Sequence, residues 1–235
     1  MSSLLVLQHA ACEPPGVYED ELRERGIPFE RVVLDEAPAM PDWRPHTGIV
    51  AMGGAMGAYE EEAHPWLTGE RNLIAEAVEA GMPYWGVCLG AQMLASALGA
   101  KVAPGPAPEI GITTVRLTDE AAHDPVFKEA PREFRTLQWH GDTYELPAGA
   151  RRLACSDLYE QQAFAIGSAY AVQFHLEVDG ALAESWMEVP AYVEELRELG
   201  NDSARMLEEV RGAEAETVPL ARALFARWLT GTANF

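Results

Sequence analysis

The sequence predicts an α/β fold with a mostly parallel central sheet, helices on both faces, a smaller antiparallel sheet and a C-terminal helical segment. Short apolar runs alternate with helical patterns over the first 100 residues, strand-like segments crowd residues 110–174, and helical spacing returns over 181–229. Alternating strands and helices favour parallel pairing, whereas strands with little helix between them favour antiparallel pairing. We therefore expect one domain over residues 1–180 and a helical extension, residues 181–235, packed on it.

The first half of the chain supplies the predicted parallel strands and the helices between them. Strands are predicted at residues 4–7, 29–34, 48–52 and 84–87, and helices at residues 17–25, 66–80 and 89–98. The strand segments are short and mostly apolar, which is typical of strands buried on both faces. Each helical segment is followed by Gly26, Gly81 or Gly99, and glycine tolerates the left-handed backbone that often ends a helix.

The second half of the chain changes character. Strands are predicted at residues 110–117, 134–139, 152–155, 162–166 and 169–174. They are expected to lie beside the main sheet or to extend it. The helical segment that follows is expected to break near Pro190 and Gly212, because proline lacks a backbone donor and glycine weakens a helix.

Composition restricts the classes of partner. The 235 residues carry a formal net charge of −20, which repels nucleic acid and anionic membranes. No apolar stretch approaches the roughly 18 residues of a membrane-spanning helix, and the first residues lack the basic start of a signal peptide. The three cysteines, Cys12, Cys88 and Cys155, are widely spaced and form no C-x-x-C motif. These features disfavour a disulfide framework or zinc ribbon, and we expect a cytoplasmic protein.

Cys88 stands between a predicted strand and a predicted helix, with Gly86 and Gly90 two positions to either side. This pattern is the cysteine version of the G-x-S-x-G nucleophile turn. The helix N terminus favours a thiolate, and the N–H of Leu89 is placed to bind an oxyanion. We predict that Cys88 is a catalytic nucleophile; the alternative is a buried cysteine in a tight turn.

A second loop, Gly53-Gly54-Ala55-Met56-Gly57, follows the third predicted strand. Its glycine spacing differs from the G-x-G-x-x-G of a dinucleotide-binding loop. Because adjacent parallel strands place their C-terminal loops side by side, we expect this loop to lie next to Cys88. The N–H of Gly54 could then complete an oxyanion hole with Leu89; the alternative is a plain glycine turn.

His175 and Glu177 end the last predicted strand, and at strand spacing they point to the same side. A carboxylate there would orient the imidazole and leave its other nitrogen facing a thiol. A metal site is not favoured, because no third ligand, H-x-H or H-E-x-x-H motif is present. The remaining histidines are interpreted as structural, His140 with the least support: His9, His46, His64, His123 and His140.

Together these motifs resemble the class I (triad) glutamine amidotransferases, and in particular stand-alone proteins similar to the amidotransferase domain of GMP synthetase. The matching segments are G-V-C-L-G-A-Q at 86–92, G-G-A-M-G at 53–57, W-H-G-D at 139–142 and Q-F-H-L-E at 173–177. The resemblance covers about residues 1–180. It implies a flavodoxin-like fold and hydrolysis of the glutamine side-chain amide without a cofactor.

The resemblance also implies roles for individual residues. The catalytic triad would be Cys88, His175 and Glu177, and the oxyanion donors would be Gly54 and Leu89. The glutamine pocket would be lined by Gln92, and the amino-acid end of the substrate held by Trp139, His140 and Gly141. One departure is Ala55, where the family often has proline. A more flexible loop is expected there, with weak activity or dependence on a partner that orders it.

Three functions remain open from the sequence. The first is a glutaminase that acts on L-glutamine and passes ammonia to a separate synthetase subunit, since no ATP-binding Walker loop is present. The second is a stand-alone hydrolase of a γ-glutamyl peptide or conjugate. The third is a catalytically silent binding or regulatory module. The first two would use the same triad.

Overall fold

A computed structural model describes residues 3–37 and 39–233, which build one nine-stranded sheet in the order β2-β1-β3-β4-β9-β8-β7-β5-β6. The strands are β1 Leu4–Gln8, β2 Phe29–Val33, β3 Gly48–Ala51, β4 Tyr84–Val87, β5 Val102–Leu117, β6 Glu133–Tyr144, β7 Arg151–Cys155, β8 Ala163–Ile166 and β9 Ala169–Val172. The helices are α1 Val17–Glu24, α2 Trp66–Glu79, α3 Leu89–Ala97, α4 Gly180–Trp186, α5 Pro190–Glu198 and α6 Ser203–Gly231.

The sheet has a parallel half and an antiparallel half, and the predicted fold class is confirmed. Strands β2, β1, β3, β4 and β9 are parallel, while β8, β7, β5 and β6 pair antiparallel. The antiparallel strands extend the parallel sheet. Ala51 pairs with Gly86, and Val87 with Val172, so β3, β4 and β9 end at one edge. The loops after these strands therefore meet at that edge.

The core lies on both faces of the parallel strands, as their apolar composition predicts. Along β1, Leu4 and Val6 face α1 and α6, while Leu5 and Leu7 face α2 and α3. All four side chains are fully buried. Trp228 of α6 is also fully buried in the first of these layers. The C-terminal helix therefore completes the hydrophobic core of the sheet.

The sequence predictions for the C-terminal helix and for the end of the last strand are wrong. Helix α6 runs through Gly212, where a break was expected, because residues on either side of it are buried against the rest of the molecule. The chain instead turns at Gly200, which has φ 72°, and Asp202 caps α6 by accepting a 2.9 Å bond from the N–H of Arg205. Strand β9 ends at Val172, three residues before His175.

Helices α4 and α5 form a third apolar cluster with β6, over the edge of the sheet where β3, β4 and β9 end. Trp186 and Tyr192 pack there against Leu137 and Trp139. The helical extension thus packs on the domain that contains the sheet. The domain boundary at residue 180 stays a prediction. Within the described ranges, no helix combines the length and hydropathy needed to cross a membrane.

Candidate active site

Cys88 occupies a strained turn between β4 and α3. With φ 50° and ψ −106°, it is the only non-glycine residue with positive φ among residues 3–37 and 39–233. Its N–H donates to the carbonyl of Val172 at 2.8 Å, which fixes the turn to β9. A Cβ on Gly86 would lie 2.6 Å from the Gly90 carbonyl oxygen. Small flanking residues therefore allow α3 to begin directly against the sheet.

This backbone strain gives a testable stability difference. We expect Cys88→Gly to unfold at a higher temperature than Cys88→Ala, because glycine adopts positive φ without steric cost. A difference of about 1 kcal/mol corresponds to roughly 2–4 °C for a chain of this size. Thermal unfolding of both variants measures it. On the extended strand β7, Cys155→Gly should instead unfold below Cys155→Ala; the same order at both positions would contradict strain at Cys88.

His175 and Glu177 lie beyond β9 and are fixed by contacts with β6. The His175 N–H donates to the Leu137 carbonyl at 2.8 Å, and the hydroxyl of Thr136 donates to the His175 carbonyl at 3.0 Å. The imidazole Nδ1 is 2.7 Å from the Glu177 Oε1, and both side chains are 2% exposed. The carboxylate therefore orients the ring from behind, leaving Nε2 for the thiol.

The electrostatics of this pair favour a charged imidazole. Burial by itself lowers the pKa of His175, but the carboxylate of Glu177, to which the ring is hydrogen-bonded, and the neighbouring Cys88 sulfur raise it well above its usual value. A proton is thus held on His175 between a sulfur and a carboxylate. This arrangement suits a nucleophile paired with its base.

The loop after β3 lies against the nucleophile turn, as predicted. A Cβ on Gly54 would be 2.8 Å from the Leu89 side chain, and one on Gly53 would be 3.1 Å from the His175 ring. In the part of the chain that the structure describes, the N–H groups of Gly54 and Leu89 make no backbone–backbone hydrogen bond. Both donors are therefore available to an oxyanion beside Cys88.

His9 fixes the orientation of this loop. Its Nδ1 donates to the Gly53 carbonyl at 3.0 Å, and its Nε2 is 2.8 Å from Glu70 Oε1, with His9 and Glu70 both fully buried. Burial lowers the pKa of His9, but the charge and hydrogen bond of Glu70, together with the Gly53 carbonyl and the charge of Glu13, outweigh it and the net shift is upward. The Gly53 carbonyl and the Gly54 N–H share one peptide plane and point in opposite directions. The hydrogen bond that fixes the Gly53 carbonyl therefore also fixes the direction of the Gly54 N–H.

The predicted substrate-binding residues also gather at this site. Gln92 donates from Nε2 to the Gln173 side chain at 3.2 Å, and Gln173 donates to the Cys88 sulfur at 3.5 Å. The Trp139 carbonyl lies 3.8 Å from the same sulfur. His140 donates from Nδ1 to the Asp142 carbonyl at 2.9 Å, which fixes the part of β6 that contains Gly141.

These residues line a cavity of about 290 Å³. Seven of the predicted site residues line it: Gly54, Cys88, Gln92, Trp139, His140, Gly141 and His175. Glu177 lies behind His175, and Leu89 contributes its backbone. Within the described residues, no cluster of three or more His, Cys, Asp or Glu side chains is arranged to hold a metal ion.

Several residues of the cavity were not predicted from the sequence. Glu13, from the loop between β1 and α1, and Tyr192 and Glu195, from α5, line it. The position of Glu13 after the parallel strand β1 could have suggested it, because that loop opens at the same edge of the sheet. Nothing in the sequence of α5 indicates that it covers a cavity.

Comparison with known proteins places the chain in a family. A model of glutamine amidotransferase class-I matches residues 18–187. The chain is 36% identical to a glutamine amidotransferase from Thermotoga maritima of known crystal structure, with a TM-score of 0.89 and coverage of 97% of this chain and 98% of that one.

Two curated relatives differ in what their names say. The chain is 35% identical to a glutamine-hydrolyzing GMP synthase of Thermomicrobium roseum over 67% of this chain and only 29% of that protein. It is 29% identical to gamma-glutamyl peptidase 4 of Arabidopsis thaliana over 63% of this chain and 60% of that protein. The chain therefore spans less than two thirds of the length of either relative.

Proposed function

The chain belongs to the class-I glutamine amidotransferase family, and on this premise we propose that it hydrolyses the side-chain amide of L-glutamine to glutamate and ammonia. The observation that carries this proposal is the buried Glu177–His175 pair, which faces Cys88 at a strained turn in a cavity. Release of ammonia and glutamate by the purified chain tests it. The proposal would be contradicted if neither glutamine nor any γ-glutamyl amide released glutamate in a Cys88-dependent reaction.

The proposed reaction begins when the Cys88 thiolate attacks the γ-carbonyl carbon. The carbonyl oxygen becomes an oxyanion, which accepts hydrogen bonds from the N–H groups of Gly54 and Leu89; one such donor contributes about 3–4 kcal/mol in well-studied enzymes. As the C–N bond breaks, His175 gives its proton to the leaving nitrogen, which departs as ammonia. His175 then takes a proton from water, which attacks the thioester and releases glutamate with the Cys88 thiolate restored.

The amino-acid end of the substrate is proposed to lie away from His175, at the main chain of Trp139 and at His140 and Gly141; the ring of Trp139 packs on the opposite side, against Trp186. Asp142 follows these residues, lines the cavity, and accepts a 3.2 Å hydrogen bond from the hydroxyl of Tyr59. Its carboxylate has no ion-pair partner among the salt bridges of the described chain, so it is free to accept from the substrate ammonium group. Gln92 would line the same end through its contact with Gln173.

His9 gives a prediction about the oxyanion hole. We expect His9→Leu/Glu70→Gln to lower kcat by about 10- to 100-fold with little change in KM, because a loosened Gly53 carbonyl leaves the Gly54 N–H misdirected. The matched variant His9→Asn/Glu70→Gln should recover part of kcat, since asparagine carries a donor near the position of Nδ1. Steady-state kinetics with L-glutamine give kcat and KM for both double variants. Equal kcat in the two double variants would contradict this role.

A γ-glutamyl conjugate hydrolase is the second candidate function. It is favoured by the lining of the cavity, which includes Tyr192 and Trp186 as well as the residues assigned to the glutamyl group, with Trp186 packed against the His175 ring. Turnover of γ-glutamyl amides faster than L-glutamine, with no added protein, would support it. Stimulation of glutaminase activity by a separate synthetase subunit would support the first function, with ammonia as the transferred product. Absence of any turnover would favour a catalytically silent module.

A further inference from the structure

We propose that Glu13 and Glu195, together with the rings of Trp139, Trp186 and Tyr192, bind a positively charged leaving group. The preferred substrate is then a γ-glutamyl amide of an amine that carries a second, protonated amino group. This inference rests on the proposed function and names the substrate class of the same site. His175 transfers its proton to the leaving nitrogen, so the leaving group must lie on the His175 side of Cys88.

Glu13 is on that side. A Cβ on Gly53 would lie 2.2 Å from Glu13 Oε2 and 3.1 Å from the His175 ring, so the two side chains contact the same glycine. Glu13 is 6% exposed and lines the cavity. Its Oε1 accepts a hydrogen bond from the hydroxyl of Tyr192, whereas Oε2 accepts none from a side chain of the described residues. Oε2 of this largely buried carboxylate therefore has no side-chain donor of its own and is left to accept from a ligand in the cavity.

Three aromatic rings line the same part of the cavity and pack against one another. The centroid of Trp139 lies 5.6 Å from that of Trp186 and 5.4 Å from that of Tyr192, and Trp186 lies 5.7 Å from Tyr192. Trp186 also packs edge-on against His175 at 5.3 Å. Clustered aromatic faces attract ammonium groups through their negative π-surfaces, and tryptophan does so most strongly.

Glu195 adds a second carboxylate to this cluster. It is three positions after Tyr192, on the same face of α5, and it accepts a 2.8 Å hydrogen bond from Trp139 Nε1. Neither Glu13 nor Glu195 takes part in a salt bridge within the described ranges, and no lysine or arginine is among the residues that line the cavity. Burial raises the pKa of Glu13, and a cation bound beside the carboxylate would lower that pKa again.

The chemistry of the step is otherwise unchanged. The C–N bond of the γ-glutamyl amide breaks, the glutamyl group stays on Cys88 as a thioester, and the leaving nitrogen takes the proton from His175. The distal ammonium group keeps its charge throughout and stays among the carboxylates and rings. A carboxylate in that place, as in a γ-glutamyl amino acid, would be repelled by Glu13 and Glu195.

The experiment compares three amides of equal length: the γ-glutamyl amides of 1,5-diaminopentane, hexylamine and 6-aminohexanoate. Their leaving groups end in an ammonium, a methyl and a carboxylate group. We expect kcat/KM to fall in that order, with the cationic amide preferred to the neutral one by about 10-fold or more. Equal rates, or a preference for the neutral or anionic amide, would overturn the proposal.

The variant Glu13→Gln/Glu195→Gln tests the residues. We expect it to reduce the cationic-to-neutral ratio of kcat/KM by about 10-fold. The control Glu184→Gln/Glu198→Gln changes net charge equally at exposed positions of α4 and α5, and should leave the ratio unchanged. An unchanged ratio in the first variant, or an equal reduction in both, would exclude the assigned carboxylates.

Binding separates this inference from the proposed reaction. Calorimetry on Cys88→Ala measures Kd for the same three amides without turnover, and we expect the cationic amide to bind about 10-fold more tightly than the neutral one. Cys88-dependent hydrolysis of L-glutamine with equal Kd values would overturn the cation site alone. Absence of all turnover with the expected Kd order would overturn the proposed hydrolysis and leave the cation site supported.

Discussion

Cys88→Ala is expected to release ammonia from L-glutamine at less than about one ten-thousandth of the wild-type rate, because losing the nucleophile of a catalytic triad costs about 10⁴–10⁶ in kcat. No second thiol can replace it, since Cys88 is the only cysteine that lines the cavity in the described part of the chain. A coupled glutamate assay with a sensitive ammonia readout measures the residual rate.

The control for this prediction is Cys155→Ala. Cys155 is half-buried on β7, away from the cavity, and its replacement should leave the rate within about twofold. Far-UV circular dichroism should show the same fold for both variants, because alanine keeps the backbone of the turn. Near-normal ammonia release by Cys88→Ala would rule out covalent catalysis at this residue.

The parallel half of the fold could be predicted because its signals are local. Four of its five strands are short, mostly apolar runs, the exception being the edge strand β2, and each helix between them is followed by a glycine. Strand β5 was predicted to begin at residue 110 but begins at Val102, through a segment with Pro104 and Gly105 that has little strand propensity of its own. Its pairing with β6, including Val102 with Tyr144, holds the segment extended. Such long-range pairing has no local sequence signal.

In the candidate site too, the features with local sequence signals were predicted and those that depend on long-range contacts were not. The spacing of glycines around Cys88 and the His-x-Glu pair are visible in the chain, and the structure brings them together as expected. The contact between Tyr192 and Glu13 joins residues 179 positions apart, so no motif reveals it. Such partners depend on how α5 packs over the edge of the sheet.

The predicted flexibility of the loop at Ala55 depends on residues that are distant in the sequence. The sequence suggests a flexible loop there, because alanine replaces the proline common in the family. The buried His9–Glu70 pair holds the preceding peptide through the Gly53 carbonyl. We infer that this pair supplies rigidity that proline would otherwise contribute. The proposed dependence on an activating partner is weakened accordingly.

Glu177→Gln is the second variant with a large expected effect, a loss of about 10²–10⁴ in kcat. Glutamine keeps an oxygen that can accept from the imidazole Nδ1 but removes the negative charge. Burial lowers the pKa of His175 and the charge of Glu177 is the largest opposing influence, so the pKa of His175 should fall in the variant. Less imidazolium would then be available to protonate the leaving amine.

The pH dependence distinguishes this effect from simple unfolding. In the wild type, the raised pKa of His175 keeps the imidazolium present into alkaline pH, so the alkaline limb of kcat/KM should move to lower pH in Glu177→Gln. The contribution of His175 to the free energy of unfolding should also be lost toward alkaline pH. A raised folded-state pKa contributes stability that is present below the unfolded pKa near 6.5 and lost as pH rises through the folded value.

Removing the Glu177 charge should therefore destabilise the protein most near neutral pH, and progressively less as the pH rises through the folded pKa of His175. Chemical denaturation across pH measures this, with the exposed Glu184→Gln as control. A deficit that grew with pH, or an alkaline limb that did not move, would show that Glu177 does not act through the charge of His175. The carboxylate would then be needed only to orient the ring, and kcat would fall without a change in the pH profile.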